Sequence, residues 1–282
     1  RVPTSCGRSG ECHECVVEIN RGMRALSKST ESENFLRGNY RLACQAKVVD
    51  PTAHIEFSLM RRQPKILNYS TRRQVSIDPL TVCRRGSVYF SHEYLDDYHG
   101  QIHGLAVDVG TTTVVFNLVD LESGDILYTG SFENPQRFGG SDIMHRISYD
   151  ATEFHGELHK SIISSLNYEI RDMCRKTRLH RRHIYEIVIV GNSTMRDLFF
   201  NLDVQSIGEK PYKSITEHKV DTGERETTTL KMKAKDLGIQ VFPEANVYGG
   251  PLISCHVGAD VAADLLATGM EQNEDVMILV DV

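Results

Sequence analysis

The chain has 282 residues, of which 40% are hydrophobic and 25% are charged, as is usual for a globular protein. Its net charge of −6 argues against a nucleic-acid-binding protein, and its seven cysteines, an odd number, do not form the paired framework of a secreted protein. No apolar run approaches the roughly 18 residues that a membrane helix needs. We therefore expect a protein of the reducing cytoplasm that binds neither nucleic acid nor membrane.

Both ends of the sequence are abrupt. The chain begins at Arg1 without an initiator Met and stops at Val282, inside an apolar run that has just reached Asp281. We therefore expect that both ends are truncated.

Four cysteines stand out near the start of the chain, at Cys6, Cys12, Cys15 and Cys44. Thiolates at these spacings can converge on one inorganic cluster, and the glycines between them let the loop wrap around it. The segments CGRSGECHECVVEI and RLACQAKV resemble the cluster loop of 2Fe–2S ferredoxins, with a first gap one residue longer than in the plant type. The resemblance implies that these four cysteines ligate a 2Fe–2S cluster.

The alternative is that the four cysteines bind a zinc ion. Structural zinc sites favour two CxxC pairs, however, and this chain has one. His13 lies inside the cluster loop, and we expect it to be exposed because four thiolates already suffice.

The strand pattern after the loop is that of a β-grasp sheet. Val16, Val17 and Ile19 predict one strand, and the alternation of Ile55, Phe57 and Leu59 predicts another, with Val48 also expected in the sheet. A ferredoxin domain over residues 1–60 would be incomplete, because its usual first hairpin and helix cannot fit before Cys6. Residues 61–103, which begin with a basic stretch, read as a linker with a short strand at Ser87–Phe90. We expect the remaining cysteines, Cys83, Cys174 and Cys255, to be small buried hydrophobic residues.

The stretch that organises the rest of the chain is LAVDVGTTTVVFNLVD, Leu105 to Asp120. It predicts a hairpin whose polar turn can bind phosphate. Gly110 allows a ligand to approach the backbone, and the hydroxyl groups of Thr111, Thr112 and Thr113 can donate hydrogen bonds. Asp108 at the end of the strand can hold Mg²⁺ through water. The alternative is a purely structural hairpin.

Later elements follow in an α/β order. The patterns predict strands at Ile126–Gly130, Glu186–Val190, Ile239–Phe242 and Val276–Val282, and helices over Asp142–Tyr149, Glu153–Arg178 and Val257–Ala267. A further helix after Gly191 would begin at Asn192 or Ser193 as N-cap, and Gly269 would end the Val257–Ala267 helix. Residues 210–229 read as loop or edge.

This order resembles the first half of an actin-like ATPase domain, the superfamily of sugar kinases, heat-shock chaperones and actin. The resemblance implies an α/β fold in which residues 104–272 form the first half and residues 273–282 begin the second. It assigns the turn from Asp108 to Thr113 to the first phosphate loop for ATP with Mg²⁺, and Asp281 to the start of the second. The isolated first half would then bind ATP negligibly.

The combination of the cysteine loop with GLAVDVGTTTVVFNLVD, ENPQRFGGSDIMHRI, VGNSTMRDLFFNLD and VGADVAADLLATG resembles the reductive activators of corrinoid proteins. It implies an ATP-dependent enzyme that passes an electron from its cluster to Co(II) and so regenerates Co(I) in a corrinoid methyl carrier. Its partners would be that carrier and an electron donor. Two alternatives remain open: a small-molecule kinase with an accessory ferredoxin domain, and a non-catalytic redox module on an actin-like scaffold.

Overall fold

A computed structural model describes residues 2, 4, 6–60, 77–270 and 276–279. Asp281, the rest of the predicted second phosphate loop and the basic stretch after residue 60 lie outside this range. Residues 276–279 form no strand. Within the described ranges, none of the helices has both the length and the apolar character needed to cross a membrane.

The cluster loop leads into a three-stranded antiparallel sheet. Its strands are β1 (Val16–Arg21), β2 (Tyr40–Leu42) and β3 (Glu56–Leu59), in the order β2-β1-β3. Val16 pairs with Leu42, and both residues are buried, as is the neighbouring Cys15. Val48 forms only an isolated bridge with Leu26. The predicted strand after the cluster loop is confirmed.

The segment predicted as a linker contains a second small antiparallel sheet. Its strands are β4 (Thr81–Arg84), β5 (Ser87–Phe90) and β6 (Glu93–Asp97). This sheet is attached to the larger part of the chain by polar contacts. The Thr81 amide donates to Glu186 Oε2 at 3.2 Å, and the Tyr185 hydroxyl donates to Asp96 at 3.1 Å.

A six-stranded sheet forms the core of the larger part, in the order β11-β12-β10-β7-β8-β9. Its first three strands, β7 (His103–Val109), β8 (Thr113–Asp120) and β9 (Ile126–Glu133), form the antiparallel meander that the sequence predicts. Strand β10 (Ile184–Val190) pairs in parallel with β7, so the carboxyl-terminal ends of both strands lie side by side at one edge of the sheet. This edge carries the candidate phosphate turn.

Helices α1 (Ile143–Asp150) and α2 (Glu157–Thr177) follow the meander. Helix α2 forms because apolar residues recur every three or four positions and bury one face, which contains Leu158, Ile162, Leu166, Ile170 and Met173. Asp142 caps α1 by accepting from the His145 amide at 3.0 Å. Both predicted helices are confirmed.

Helix α3 (Ser193–Phe199) begins directly after β10, with Asn192 as its N-cap. Two short helices follow, α4 (Gln205–Gly208) and α5 (Ile215–Asp221). The prediction of a loop or edge over residues 210–229 is wrong at α5. Ser214 and Glu217 form a reciprocal capping box at its start, and the spacing S-x-x-E was visible in the sequence.

The prediction of a strand at Ile239–Phe242 is also wrong. That segment is an irregular turn, and the strands of this region are β11 (Leu230–Lys233) and β12 (Asn246–Gly249). Ile239 and Val241 are apolar because they are buried against the core, and their backbone amides are satisfied within the turn. The last helix, α6 (Ala259–Thr268), ends at Gly269 in the left-handed conformation, as predicted.

Candidate functional site

The cysteine loop brings the first two predicted ligands together. The Thr4 hydroxyl lies 3.6 Å from Cys6 Sγ and 3.9 Å from Cys12 Sγ. Burial opposes ionisation of Cys6, but hydrogen bonds, above all those from Ser9 and from the Cys12 backbone, lower the pKa of its thiol to about 5. Because the thiolate is the form that binds metal, this environment suits a ligand.

The other two predicted ligands form a second pair deeper in the domain. The carbonyl of Cys15 accepts from the Ala43 amide at 2.9 Å, which places the Cys44 segment beside Cys15. Burial raises the pKa of the Cys15 thiol to about 12, and the neighbouring Cys44 adds to this. Gln45 fastens the Cys44 segment to the loop by donating to the Arg8 carbonyl at 2.8 Å.

The two pairs fit a binuclear cluster. A cavity of about 390 Å³ opens beside Cys15 and Cys44 and is lined also by Thr4 and Arg8. Among the described residues, no three His, Cys, Asp or Glu side chains surround a single point as ligands of one metal ion do. A 2Fe–2S cluster takes four thiolates, two for each iron, so two neighbouring pairs are the arrangement that it requires.

The expectation that His13 is exposed is wrong. Its side chain is 3% exposed, its ring stacks on Phe35 with 4.0 Å between the ring centroids, and its Nδ1 lies 3.2 Å from Glu157 Oε2. Burial lowers the pKa of His13 to about 3. His13 is buried because the loop packs against α2. This contact joins distant parts of the chain, so the cysteine spacing within the loop does not reveal it. The three cysteines outside the loop, expected to be buried, are each half-buried: Cys83, Cys174 and Cys255.

Three consecutive residues of the cluster loop lie along one stripe of α2. Besides the contact of His13 with Glu157, the Ser164 hydroxyl donates to the Cys12 carbonyl, and Arg171 pairs with Glu14 at 3.0 Å. The three helix residues are seven positions apart, so they occupy the same face two turns apart. The loop between two of the predicted cluster ligands is therefore held directly on the larger part of the chain.

The predicted phosphate turn joins β7 and β8 at the edge of the six-stranded sheet. Gly110 is required there, because a Cβ atom at this position would lie 2.6 Å from the Thr113 carbonyl oxygen. Asn134 is fully buried and holds the turn on the side facing the protein interior. Its side-chain Nδ2 donates to the Gly110 carbonyl at 2.8 Å, and its backbone amide donates to the Thr112 carbonyl at 2.7 Å. Asn192 Nδ2 donates to the Thr111 hydroxyl at 3.2 Å.

A cavity of about 850 Å³ opens in front of this turn. The structure places all five described site residues of the nucleotide prediction in its lining, namely Asp108, Gly110, Thr111, Thr112 and Thr113. The start of α6 closes another side, because the Ala259 amide donates to the Gly191 carbonyl at 2.9 Å. Gly258 permits this approach, since a Cβ there would lie 2.5 Å from the Asn192 Cα.

The cavity contains polar residues that the sequence did not identify as site residues. Asp260 and Asp264 of α6 line it together with Asn192 and His256. The spacing of the two acids, four residues apart, puts them on one helix face and was the available signal. With Asp108, they give the cavity three carboxylates, which favour a phosphate ligand that arrives with a divalent cation.

Comparison with known proteins agrees with this division. The family model of the RACo middle region matches residues 103–273, and the model of the 2Fe-2S iron-sulfur cluster binding domain matches residues 1–49. The solved structure of a reductive activator for a corrinoid, iron–sulfur protein superposes with a TM-score of 0.64 and 22% identity, over 98% of this chain and 54% of that chain. This likeness and the 2Fe-2S family model confirm the predicted α/β fold class, in which a 2Fe–2S ferredoxin domain precedes a larger α/β domain.

Two curated relatives are similar in sequence. The corrinoid activation enzyme RamQ of Eubacterium limosum is 31% identical over 182 residues, which are 64% of this chain and 29% of that protein. The reductase of a Co(II) methylated amine-specific corrinoid protein from Methanosarcina barkeri is 23% identical over 179 residues, 59% of this chain and 30% of that protein. The chain thus spans under a third of the length of these relatives.

Proposed function

Because the chain belongs to the RACo middle region family, we propose that it is the cluster-bearing and nucleotide-binding part of an ATP-dependent reductive activator of a corrinoid protein. The observation that carries the proposal is that one chain holds both sites. Three of the four predicted cluster cysteines lie in a loop that packs on α2, and the candidate phosphate turn lies at one edge of the six-stranded sheet.

In the proposed reaction the corrinoid cobalt gains one electron and passes from Co(II) to Co(I). Cys6, Cys12, Cys15 and Cys44 would hold a 2Fe–2S cluster, which would supply that electron and regain it from an external one-electron donor. The burial of Cys15 and the contacts of Cys12 and Glu14 with α2 fix the position from which the electron leaves.

Asp108 and the turn from Gly110 to Thr113 bind the phosphates and Mg²⁺ of ATP in this proposal, together with Asp281 from the second phosphate loop. Asp260 and Asp264 add carboxylates from α6. Divalent metal is needed because an anionic nucleotide would otherwise meet three acids. The threonine hydroxyls and the turn amides then act as donors to the phosphate oxygens.

The proposal assigns ATP the role of driving an unfavourable electron transfer. Plant-type clusters have potentials near about −400 mV, and moving an electron uphill by 100 mV costs about 2.3 kcal/mol. Nucleotide binding supplies such an amount only if its affinity differs between two conformations of the protein. ATP thus acts on a conformational equilibrium, and no phosphoryl acceptor is required.

The experiment that tests this function uses the whole protein that contains this chain. The anaerobic, reduced protein is mixed with a corrinoid carrier in the Co(II) state, and Co(I) is followed by its visible absorption with and without MgATP. We expect Co(I) to accumulate only with MgATP. Equal accumulation without nucleotide would overturn the ATP-dependent function, and a phosphorylated metabolite in a substrate screen would support a kinase instead.

A further inference from the structure

A buried cation lies behind the phosphate turn. Arg146 of α1 is fully buried, and its guanidinium group donates to the Thr111 carbonyl at 2.7 Å and to the Gly140 carbonyl at 3.0 Å. It also approaches Met195 Sδ at 2.9 Å and Gln136 Oε1 at 3.5 Å. These partners are carbonyls, an amide and a thioether, and none of them carries a charge.

Within the described part of the chain, Arg146 makes no ion pair with a carboxylate, and the exposed Asp142 acts on its charge only from a longer distance. Among the described residues, no carboxylate oxygen lies within 4.0 Å of its guanidinium group. The other fully buried arginine differs, because Arg196 pairs with Asp197 at 2.7 Å. Burial lowers the pKa of Arg146 to about 10, which leaves the group protonated at neutral pH. A buried charge without an opposite charge in contact lowers the stability of a fold, and an anionic ligand bound nearby would offset that cost.

The contact with Thr111 connects this charge to the candidate nucleotide site. Arg146 donates a hydrogen bond to the Thr111 carbonyl. The side chain of Asn134 donates to the Gly110 carbonyl, and its backbone amide donates to the Thr112 carbonyl. Both side chains are fully buried, so the carbonyl oxygens of Gly110 and Thr111 are directed into the protein, whereas the Thr112 carbonyl accepts from the Asn134 backbone amide. The turn is thereby held with two of its acceptors directed inward, and the buried side chain that contacts Thr111 is positively charged.

We propose that Arg146 is a positioning residue for the phosphate turn whose buried positive charge makes the cavity prefer polyphosphates to uncharged nucleosides. The inference rests on the proposed nucleotide site and adds the source of its charge selectivity. The anionic phosphates provide the opposite charge that Arg146 lacks. Its effect on affinity therefore grows with the charge of the ligand.

The sharpest test is Gln136→Glu in the whole protein. This change puts a carboxylate in the place of the amide that lies 3.5 Å from Arg146 and cancels the buried charge while Arg146 remains. The change also removes the hydrogen bond from Gln136 Nε2 to the Leu158 carbonyl. That carbonyl still accepts from the Ser161 hydroxyl at 2.9 Å. We expect MgATP to bind about tenfold more weakly, equal to about 1.4 kcal/mol, and adenosine affinity to change less than twofold.

Two further variants complete the measurement. Arg146→Gln should give the same selective loss for ATP if it folds, and Arg146→Lys should restore part of the preference. Gln240→Glu adds the same charge at an exposed position, where Oε1 accepts from Arg181 at 2.9 Å, and should leave both affinities unchanged. Calorimetry with MgATP and with adenosine provides the readout.

The outcomes separate this inference from the proposed function. Suppose that the unmodified protein binds MgATP. If Gln136→Glu then weakens the binding of MgATP and of adenosine equally, or changes neither affinity, Arg146 has only a structural role and the inference is wrong. If the unmodified protein does not bind MgATP, the nucleotide site itself is wrong, and the inference falls with it.

Discussion

The Tyr149 hydroxyl donates a hydrogen bond to the Phe35 carbonyl at 2.6 Å and so joins α1 to the ferredoxin domain. Three residues earlier on the same helix, Arg146 contacts the carbonyl of Thr111 in the phosphate turn. Phe35 in turn stacks on His13 inside the cluster loop. One short helix therefore contacts both the candidate phosphate turn and the domain that carries the predicted cluster ligands.

The variant Tyr149→Phe should loosen the ferredoxin domain. It removes one hydroxyl and leaves the buried Phe35 carbonyl without that donor, a change that typically costs about 1–3 kcal/mol. We expect a lower urea midpoint and faster amide exchange around Phe35, measured by hydrogen-exchange mass spectrometry. Tyr128→Phe, which removes an exposed hydroxyl near Lys176, is the matched control and should change neither. Unchanged exchange around Phe35 would show that this hydrogen bond does not hold the domains together.

The cluster ligands can be tested one at a time. Cys12→Ser should remove or alter both the visible absorption of the anaerobically purified protein and the EPR signal of its reduced form, because a thiolate ligand is lost. Cys83→Ser changes a half-buried cysteine of the small sheet and should leave both spectra as they are. Bound zinc without iron in the unmodified protein would contradict the ligand assignment.

The predicted phosphate turn can be tested separately from the cluster ligands. Asp108→Ala should abolish the effect of MgATP on corrinoid reduction and weaken MgATP binding at least about tenfold, since it removes a carboxylate from the cavity. The cluster spectra should stay intact. Asp125→Ala, in the turn at the opposite end of β8, is the matched control. Full ATP dependence in Asp108→Ala would indicate a structural hairpin.

The stability of the protein should depend on pH through His103. Burial lowers the pKa of His103, which is 1% exposed. Below about pH 6.5 the unfolded chain therefore binds a proton that the folded chain does not, so stability falls as the pH falls, by at most about 1.4 kcal/mol per pH unit. His103→Leu should reduce the slope of the unfolding free energy against pH below pH 6.5.

Chemical denaturation at several pH values measures that slope. His54→Leu, which replaces an exposed histidine, is the control for the loss of a histidine as such. An equal slope in His103→Leu and the unmodified protein would mean that another group governs the acid sensitivity.

The sequence predicted the local elements well where one pattern dominated. The hairpin around Gly110 followed from two apolar runs with a polar turn, and α2 followed from its helical periodicity. The errors came where tertiary burial produced an apolar run without a strand, as at Ile239, or where a short helix was marked only by its cap, as at Ser214.

The candidate site was predictable only in part. Cysteine spacing and the turn around Asp108 named residues that the structure brings together in two places. The carboxylates of α6, the burial of His13 and the contact of Arg146 with Thr111 depend on packing between segments far apart in the chain. Such contacts leave no local pattern, because they are set by how the helices pack on the sheet.

The most direct test of the account is a single-turnover measurement in which the reduced cluster of the whole protein is the only source of electrons. The protein is reduced, freed of reductant and mixed rapidly with a Co(II) corrinoid carrier, with and without MgATP, while cluster and cobalt absorption are recorded together. We predict that cluster oxidation and Co(I) formation proceed at one rate, one electron per cluster, and only with MgATP. Co(I) that forms while the cluster stays reduced, or at the same rate without nucleotide, would contradict it.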